Sequence, residues 1–270
     1  MEIKNKLQES LKRSRICLGL DPHVENPQTF LAKLIAEKGV RDALEIWAMT
    51  AMDACSEHCH AVKFQSAFYE MFGTPGWQAL ESSIEYAQSK NFFVIYDAKR
   101  GDIASTMEAY GKAAFEILKA DSLTVHLYMG TDVLRSLLPW LKQGRIIYVV
   151  WKTSNASSQD FQPDMANKIL DVFEKYAQIE NILDSLGYVM GVQHVKDKKS
   201  YETMRRFDTP LILPGIGAQG FRIDQGVKDY LNQYKHALLP ISRGITQMEN
   251  ASLEEFAKTC KTRMRHFASL

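Results

Sequence analysis

The amino-acid sequence predicts an α/β protein: a (β/α)8 barrel of the TIM type, formed as one domain over residues 1–270. Short apolar runs alternate with helix-patterned segments along the chain, and eight such runs fall within the roughly 250 residues that this architecture needs. Polar residues gather just after each run, where such barrels carry their chemistry. An open doubly wound sheet is the competing arrangement; periodicity is silent on closure, and the count of eight favours the barrel. No repeat, low-complexity stretch or linker marks a second domain.

Residues 1–14 read as a helix capping the barrel at its N-terminal side. The opening MEIKNKLQES is polar and amphipathic, without the apolar centre and small-residue cleavage site of a secretion signal. The strand-like runs follow in order: RICLGL up to Leu20, HAVKFQ around Lys63, FFVIYD up to Asp97 and SLTVHL up to His126. RIIYVVW around Trp151, GYVMGVQ before His194, PLILP up to Pro214 and HALLPIS up to Ser242 complete the set. Between them DALEIWAMTAMDAC, GWQALESSIEYAQSK, MEAYGKAAFEILKA, MANKILDVFEKYAQIENIL and LEEFAKTCKTRMRHFA carry helical spacing. Core packing, rather than a cofactor box or partner surface, accounts for most of Trp47, Met49, Met52, Phe115 and Ile117 on these helices, and any not buried against the barrel could serve a dimer interface.

Hydrophobic residues make up 46% of the chain and its formal charge is +1, so it has material for a core and lacks the basic excess that nucleic acid or a membrane surface requires. A small molecule is the expected partner. No apolar run approaches the roughly 18 residues of a membrane span. Cys17, Cys55, Cys59 and Cys260 show no disulfide framework, which fits a reducing cytoplasm. Cys55 and Cys59 in CSEHCH match no structural zinc spacing and read as one face of a helix beside a strand.

At or just after the eight strands stand Asp21, Lys63, Asp97 with Lys99, His126, Ser154, His194, Gln219 and Arg243. The densest stretch is DAKRGDIAST, Asp97 to Thr106. Strand alternation sets Asp97 and Lys99 on one face, Gly101 offers a turn, and Ser105 with Glu108 has capping-box spacing, which starts the next helix near Ser105 and leaves Asp102 in a loop. With Lys63 from the preceding strand nearby, the charges form an alternating Lys-Asp-Lys-Asp array. His126 and His194 read as histidines that satisfy backbone carbonyls rather than as bases. After strand 7, PGIGAQG opens toward a helix and Arg243 follows strand 8, the usual phosphate site of this barrel. Its Gly215-x-Gly217-x-x-Gly220 spacing also matches the dinucleotide fingerprint, but that motif follows the first strand of a doubly wound domain. The segment SSQDFQPD, Ser157 to Asp164, reads either as a lid or as a surface loop.

DAKRGDIAST is similar to the D-x-K-x-x-D motif of orotidine 5′-phosphate decarboxylases, with Ile103 and Thr106 at family positions. LGLDP with Asp21, VKFQSAFYE with Lys63, and the phosphate loops LPGIGAQG and ISRGI agree in order, and KTSN with the long loop after strand 5 resembles a bacterial sub-branch. The chain departs from the pattern at Ser242, where many members carry Gly. The resemblance implies orotidine 5′-monophosphate as substrate and UMP as product, no metal or organic cofactor, and a homodimer with shared sites. It implies Lys99 as proton donor, Asp97 at the departing carboxylate, Lys63 completing the array, and Asp102, Ile103 and Thr106 reaching into the partner's site. Asp21 then meets the ribose and Ser154 the pyrimidine amide edge, while Pro214, Gln219 and Arg243 serve the phosphate end. Two rivals stand beside it: a metal-dependent sugar-phosphate decarboxylase or aldolase, and a non-catalytic phosphate-binding barrel.

Overall fold

Runs rich in Val, Ile, Leu and aromatic residues become strands buried on both faces, as parallel strands between helices must be. The computed structural model describes residues 2–196, 209–216, 223–234 and 236–269. In chain order the elements are α1 (Glu2–Arg13), β1 (Ile16–Leu20), α2 (Phe30–Lys38), α3 (Val40–Cys55), β2 (Ala61–Gln65), α4 (Ser66–Glu70), α5 (Thr74–Ser89) and β3 (Phe93–Arg100). Then come α6 (Ala104–Lys112), β4 (Ser122–Val125), α7 (Asp132–Leu141), β5 (Ile146–Lys152), α8 (Gln162–Ile179) and β6 (Leu186–Met190). The chain continues through β7 (Leu211–Ile212), α9 (Gln225–Gln233), β8 (Ala237–Ile241), α10 (Arg243–Thr246) and α11 (Leu253–Ala268). Strands hydrogen-bond in sequence order, β1 through β8, and the sheet closes into a barrel. Each of the eight apolar runs read from the sequence overlaps one of these strands; β3 and β5 run past the apolar stretch to Arg100 and Lys152, and β6 starts one residue before it at Leu186.

The chain divides into two compact units, Lys6–Asp97 with Pro240–Leu270, and Met1–Asn5 with Ala98–Leu239. In the first unit, parallel pairing sets Gly19 beside Lys63, Lys63 beside Ile95, and Gln65 beside Asp97. Helix α3 lays Ala43, Leu44, Trp47, Ala48, Ala51, Met52 and Cys55 into the core at i, i+3 and i+4 spacing, each large side chain contributing about 1.5–3 kcal/mol by leaving water. Helix ends are capped by the residues expected to do so. Thr29 accepts from the Ala32 amide at the start of α2, and Ser252 with Glu255 forms a reciprocal capping box on α11.

In the second unit, Trp151 is fully buried and its indole donates to the Ala166 carbonyl at 2.8 Å, which ties β5 to α8. Helix α6 passes into a π-helical turn at Ala113–Ile117. Phe115 is buried, whereas Ile117 is 64% exposed and Met49 half-buried, so the core reading holds for Trp47, Met52 and Phe115 but fails for Ile117. The expected capping box at Ser105 does not form. Helix α6 begins at Ala104 with Ile103 at the N-cap and no side-chain cap, so Ser105 already lies inside the first turn, where its hydroxyl cannot reach back to the free amides.

All four cysteines are buried thiols. Cys59 donates to the carbonyls of Ile16 at 3.0 Å and Ala61 at 3.1 Å, joining β1 to the start of β2. Cys55 lies within 3.8 Å of the Cys260 carbonyl, so the pair in CSEHCH satisfies backbone carbonyls. Burial lifts Cys59 from its ordinary 9.0 to about 11, against the pull of those hydrogen bonds, and lifts Cys260 to about 12. A raised thiol stabilises the fold fully below its unfolded pKa and loses that contribution as pH rises toward the folded value. Stability is therefore expected to hold up to about pH 9 and to fall between 9 and 11. Thermal melts at pH steps of 0.5 (approximately) check this: Cys59→Ala should flatten the slope between about pH 9 and 10, and an unchanged slope would refute the assignment.

Candidate active site

Strand β1 ends at Leu20, so Asp21 is the first residue beyond it; the parallel register sets Gln65 opposite Asp97 and Lys63 two residues below, so the long Lys63 side chain reaches up to both carboxylates. The Lys63 ammonium lies 3.1 Å from Asp21 Oδ1 and 3.2 Å from Asp97 Oδ2. Gln65, one pleat beyond Lys63, donates its amide to Asp97 Oδ2 at 3.1 Å. Lys63 and Asp97 are buried, at 7% and 8% exposure. Burial alone would drive the Lys63 amine toward neutrality, but Asp21 and then Asp97 outweigh it and hold its pKa above the ordinary range. The centre is thus one ammonium against two carboxylates, fixed by three strands of one unit.

Asp97 continues along β3 into Lys99, and here simple alternation fails. Lys99 takes a left-handed φ of +46°, which interrupts the pleat that would have set both side chains on one face. That conformation costs a residue with a Cβ about 1–2 kcal/mol and persists only where its surroundings hold it. The Lys99 amide donates to Thr124 Oγ1 at 2.9 Å, and the Arg100 carbonyl accepts from the His126 amide at 2.9 Å, so the tip of β3 is tied to β4. The Lys99 side chain is exposed. Gly101 does not turn the chain through a positive φ; it is small because the His126 ring lies against it, where any Cβ would collide. Asp102 accepts from the Ile103 amide at 2.8 Å, and Ile103 and Thr106 are both exposed.

Ser154 is half-buried just past β5. His194 bears out its reading as a structural histidine: Nε2 sits 3.0 Å from the Thr153 carbonyl, which only accepts, so that nitrogen carries the proton. Pro214 is half-buried after β7, its carbonyl accepting from the Val192 amide at 2.9 Å, while Gln219, Gly217 and Gly220 lie outside the described residues. The described helix after β7 starts at Gln225, capped by Asp224.

Arg243 is exposed at the start of α10, directly after β8. With Asp21, His23 and Trp47 it lines a small cavity in its own unit. His23 packs edge-on against Phe68 and reaches Glu25 at 3.4 Å. Glu25 is held below the usual carboxylate range first by its own backbone amide, then by His23 and Arg243, so the arginine has a carboxylate in its neighbourhood. Ser242 packs on Gly19: a Cβ on Gly19 would come within 2.8 Å of the Ser242 Cβ and 3.1 Å of its Cα.

Sequence reasoning passed over Gln65, Thr124 and His23. For two of them a signal was present, since Gln65 stands two residues beyond Lys63 and Thr124 two before His126, on shared strand faces. Nothing in the sequence ties His23 to Arg243, more than 200 residues away by roughly the full length of the barrel.

A closed parallel barrel with a lysine clamped between carboxylates at its strand ends defines a barrel enzyme that carries its chemistry at the strand ends. Residues 14–256 match the model of the Orotidine 5′-phosphate decarboxylase / HUMPS family, and the chain belongs to that family. A relative named orotidine 5′-phosphate decarboxylase from Porphyromonas gingivalis is 34% identical over 244 residues, covering 88% of this chain and 85% of the relative. One of the same name from a Roseiflexus species is 39% identical over 224 residues, 80% of this chain and 77% of the relative. The structure of Leishmania donovani OMP decarboxylase superposes with a TM-score of 0.77 at 25% identity, covering 100% of this chain and 96% of that one.

Gly19→Ala is expected to push Ser242 and the base of α10 outward, at a cost on the order of 1–3 kcal/mol of overpacking. Urea denaturation checks it, and Ser242→Gly in the same chain should recover most of the loss; additive losses would show that the two residues are not in steric conflict.

Proposed function

We propose that this protein is an orotidine 5′-monophosphate decarboxylase, converting its substrate to UMP and CO₂ as the last step of de novo pyrimidine nucleotide synthesis. The observation that carries this reading is the buried Asp21–Lys63–Asp97 centre, which leads along one strand into Lys99. Membership of the family and the names of the relatives support it.

Breaking the bond between C6 and the carboxylate leaves an electron pair on C6, in an orbital that cannot delocalise into the ring. In this reading Lys99 stabilises that charge and then gives C6 its proton, and Asp97 stands beside the departing carboxylate. Lys63 holds Asp97 in place and meets the ribose with Asp21. Ser154 reads the pyrimidine amide edge, and Pro214, Gln219 and Arg243 form the phosphate end, whose binding energy drives closure over the ring. Asp102, Ile103 and Thr106 enter the partner's site of a homodimer; the exposure of Ile103, at 46%, and of Tyr128, at 81%, supports an apolar contact there. The catalytic unit is one barrel domain per subunit, working in the cytoplasm without a metal or organic cofactor, with neither nucleic acid nor membrane as partner. No described helix is long and apolar enough to cross a membrane.

A metal-dependent sugar-phosphate enzyme would need carboxylates free to coordinate a cation. In this chain the Lys63 ammonium already stands between Asp21 and Asp97, which weighs against that reading.

Incubating wild type with orotidine 5′-monophosphate in excess EDTA should bleach the orotate absorbance, and Lys99→Ala should be inert while still binding UMP. An inert wild type, or comparable modest losses from Lys99→Ala and Arg243→Ala, would overturn the role assignment. Arg243→Ala is expected to lower kcat/KM by roughly 10- to 100-fold, the ~1.5–3 kcal/mol of one charged hydrogen bond, with the loss shared between KM and kcat because phosphate binding also drives closure.

A further inference from the structure

The segment after β5 passes through a tight turn at Ala156–Asp160 into α8 at Gln162. Strand β5 closes on a register shift between Val150 and Lys152, an irregularity of the kind that re-aims the chain beside an active site. The next residue, Thr153, has every polar group of its backbone and side chain occupied. Its amide donates to Gln162 Oε1 at 2.8 Å, and its hydroxyl accepts from Gln162 Nε2 at 2.7 Å. The same hydroxyl donates to Asn155 Oδ1 at 2.5 Å, and the Thr153 carbonyl accepts from His194 Nε2 at 3.0 Å and Gln193 Nε2 at 3.2 Å. Gln162 is the first residue of α8, whose buried face of Ala166, Leu170 and Phe173 is anchored to β5 through the Trp151 indole. One glutamine thus carries the rigidity of an 18-residue helix to the residue directly before Ser154.

We propose that Gln162 is a positioning residue for Ser154: its two hydrogen bonds to Thr153 fix the backbone from which Ser154 reaches the pyrimidine of the substrate. This rests on the reading of Ser154 given above. Two short bonds to one residue, made by a single planar amide, restrain both the position and the twist of the peptide that Ser154 follows. Without them the irregular strand end loses its tie to α8 and keeps its contacts to Gly191, Gln193 and His194 and to the neighbouring Asn155.

The test compares binding of UMP with that of ribose 5-phosphate, which has the sugar phosphate and no base, in the full-length protein. Gln162→Leu should weaken UMP by about tenfold, the scale of about one or two hydrogen bonds, and leave ribose 5-phosphate within about twofold. Gln162→Glu keeps the acceptor for the Thr153 amide but cannot donate to the Thr153 hydroxyl, whose hydrogen already goes to Asn155, so its UMP affinity should fall between wild type and Gln162→Leu. Ser154→Ala should show the same base-selective loss, and adding Gln162→Leu to it should weaken UMP little further. Equal losses for both ligands in Gln162→Leu, or losses that add in the double variant, would overturn the positioning role while leaving Ser154 as assigned. A Ser154→Ala protein with no base-selective loss would overturn the Ser154 reading and this inference together. Should Gln162→Leu fail to fold, Thr153→Val, which removes the hydroxyl and keeps the amide, reads the same contrast.

Discussion

The ammonium of Lys63, held 3.1 and 3.2 Å from two carboxylates in a buried place, is the constraint on which the rest of this structure depends. At such distances each attraction is worth about 4 kcal/mol in the effective dielectric of a protein, enough to keep the lysine charged where burial alone would neutralise it. Taking away one partner would leave the others uncompensated, so the arrangement ties three strands to a single register. Burial of Leu18, Leu20, Phe64 and Ile95 on these strands supports that register. The charged side chains then meet because parallel pairing aligns positions 44 residues apart on β1 and β2 and 32 apart on β2 and β3.

From that centre the architecture works outward by removing atoms as much as by adding them. Gly19 leaves the room in which Ser242 packs before Arg243, and Gly101 leaves the room for the His126 ring beneath the tip of β3. A methyl group on Gly19 would press on the Ser242 backbone that presents Arg243, and one on Gly101 would displace the His126 ring. Left-handed strain at Lys99 belongs to the same pattern. It is held by the Thr124 hydroxyl on the amide of that same residue, so the strand end that delivers the lysine is fixed from β4. The end of β5 is restrained in a parallel way, by an amide reaching back from α8.

Much of this was legible in the residue order. Eight apolar runs marked the eight strands, since strands buried on both faces need continuous apolar sequence. Asp21, Lys63, Asp97 and Arg243 stood out because charge at the end of a core strand is costly without a purpose. Helix boundaries were less legible where the chain breaks its own signals. Ser105 and Glu108 have the spacing of a capping box, yet the helix starts a residue earlier and leaves the serine inside it, while Ser252 and Glu255 with the same spacing do form one. Spacing fixes which groups can meet; the entry path of the chain decides whether they do.

By itself the sequence determined the class of fold, the strand ends that carry charge and the family to which the chain belongs, because periodicity, length and a short charged motif are properties of residue order. Only the tertiary structure decided that Lys63 lies between Asp21 and Asp97, that Lys99 leaves the pleat, that Ser242 rests on Gly19 and that Gln162 holds Thr153. Those are facts of distance between residues that are far apart in the chain, or of a local dihedral angle that its neighbours in space impose. No periodic signal encodes either one.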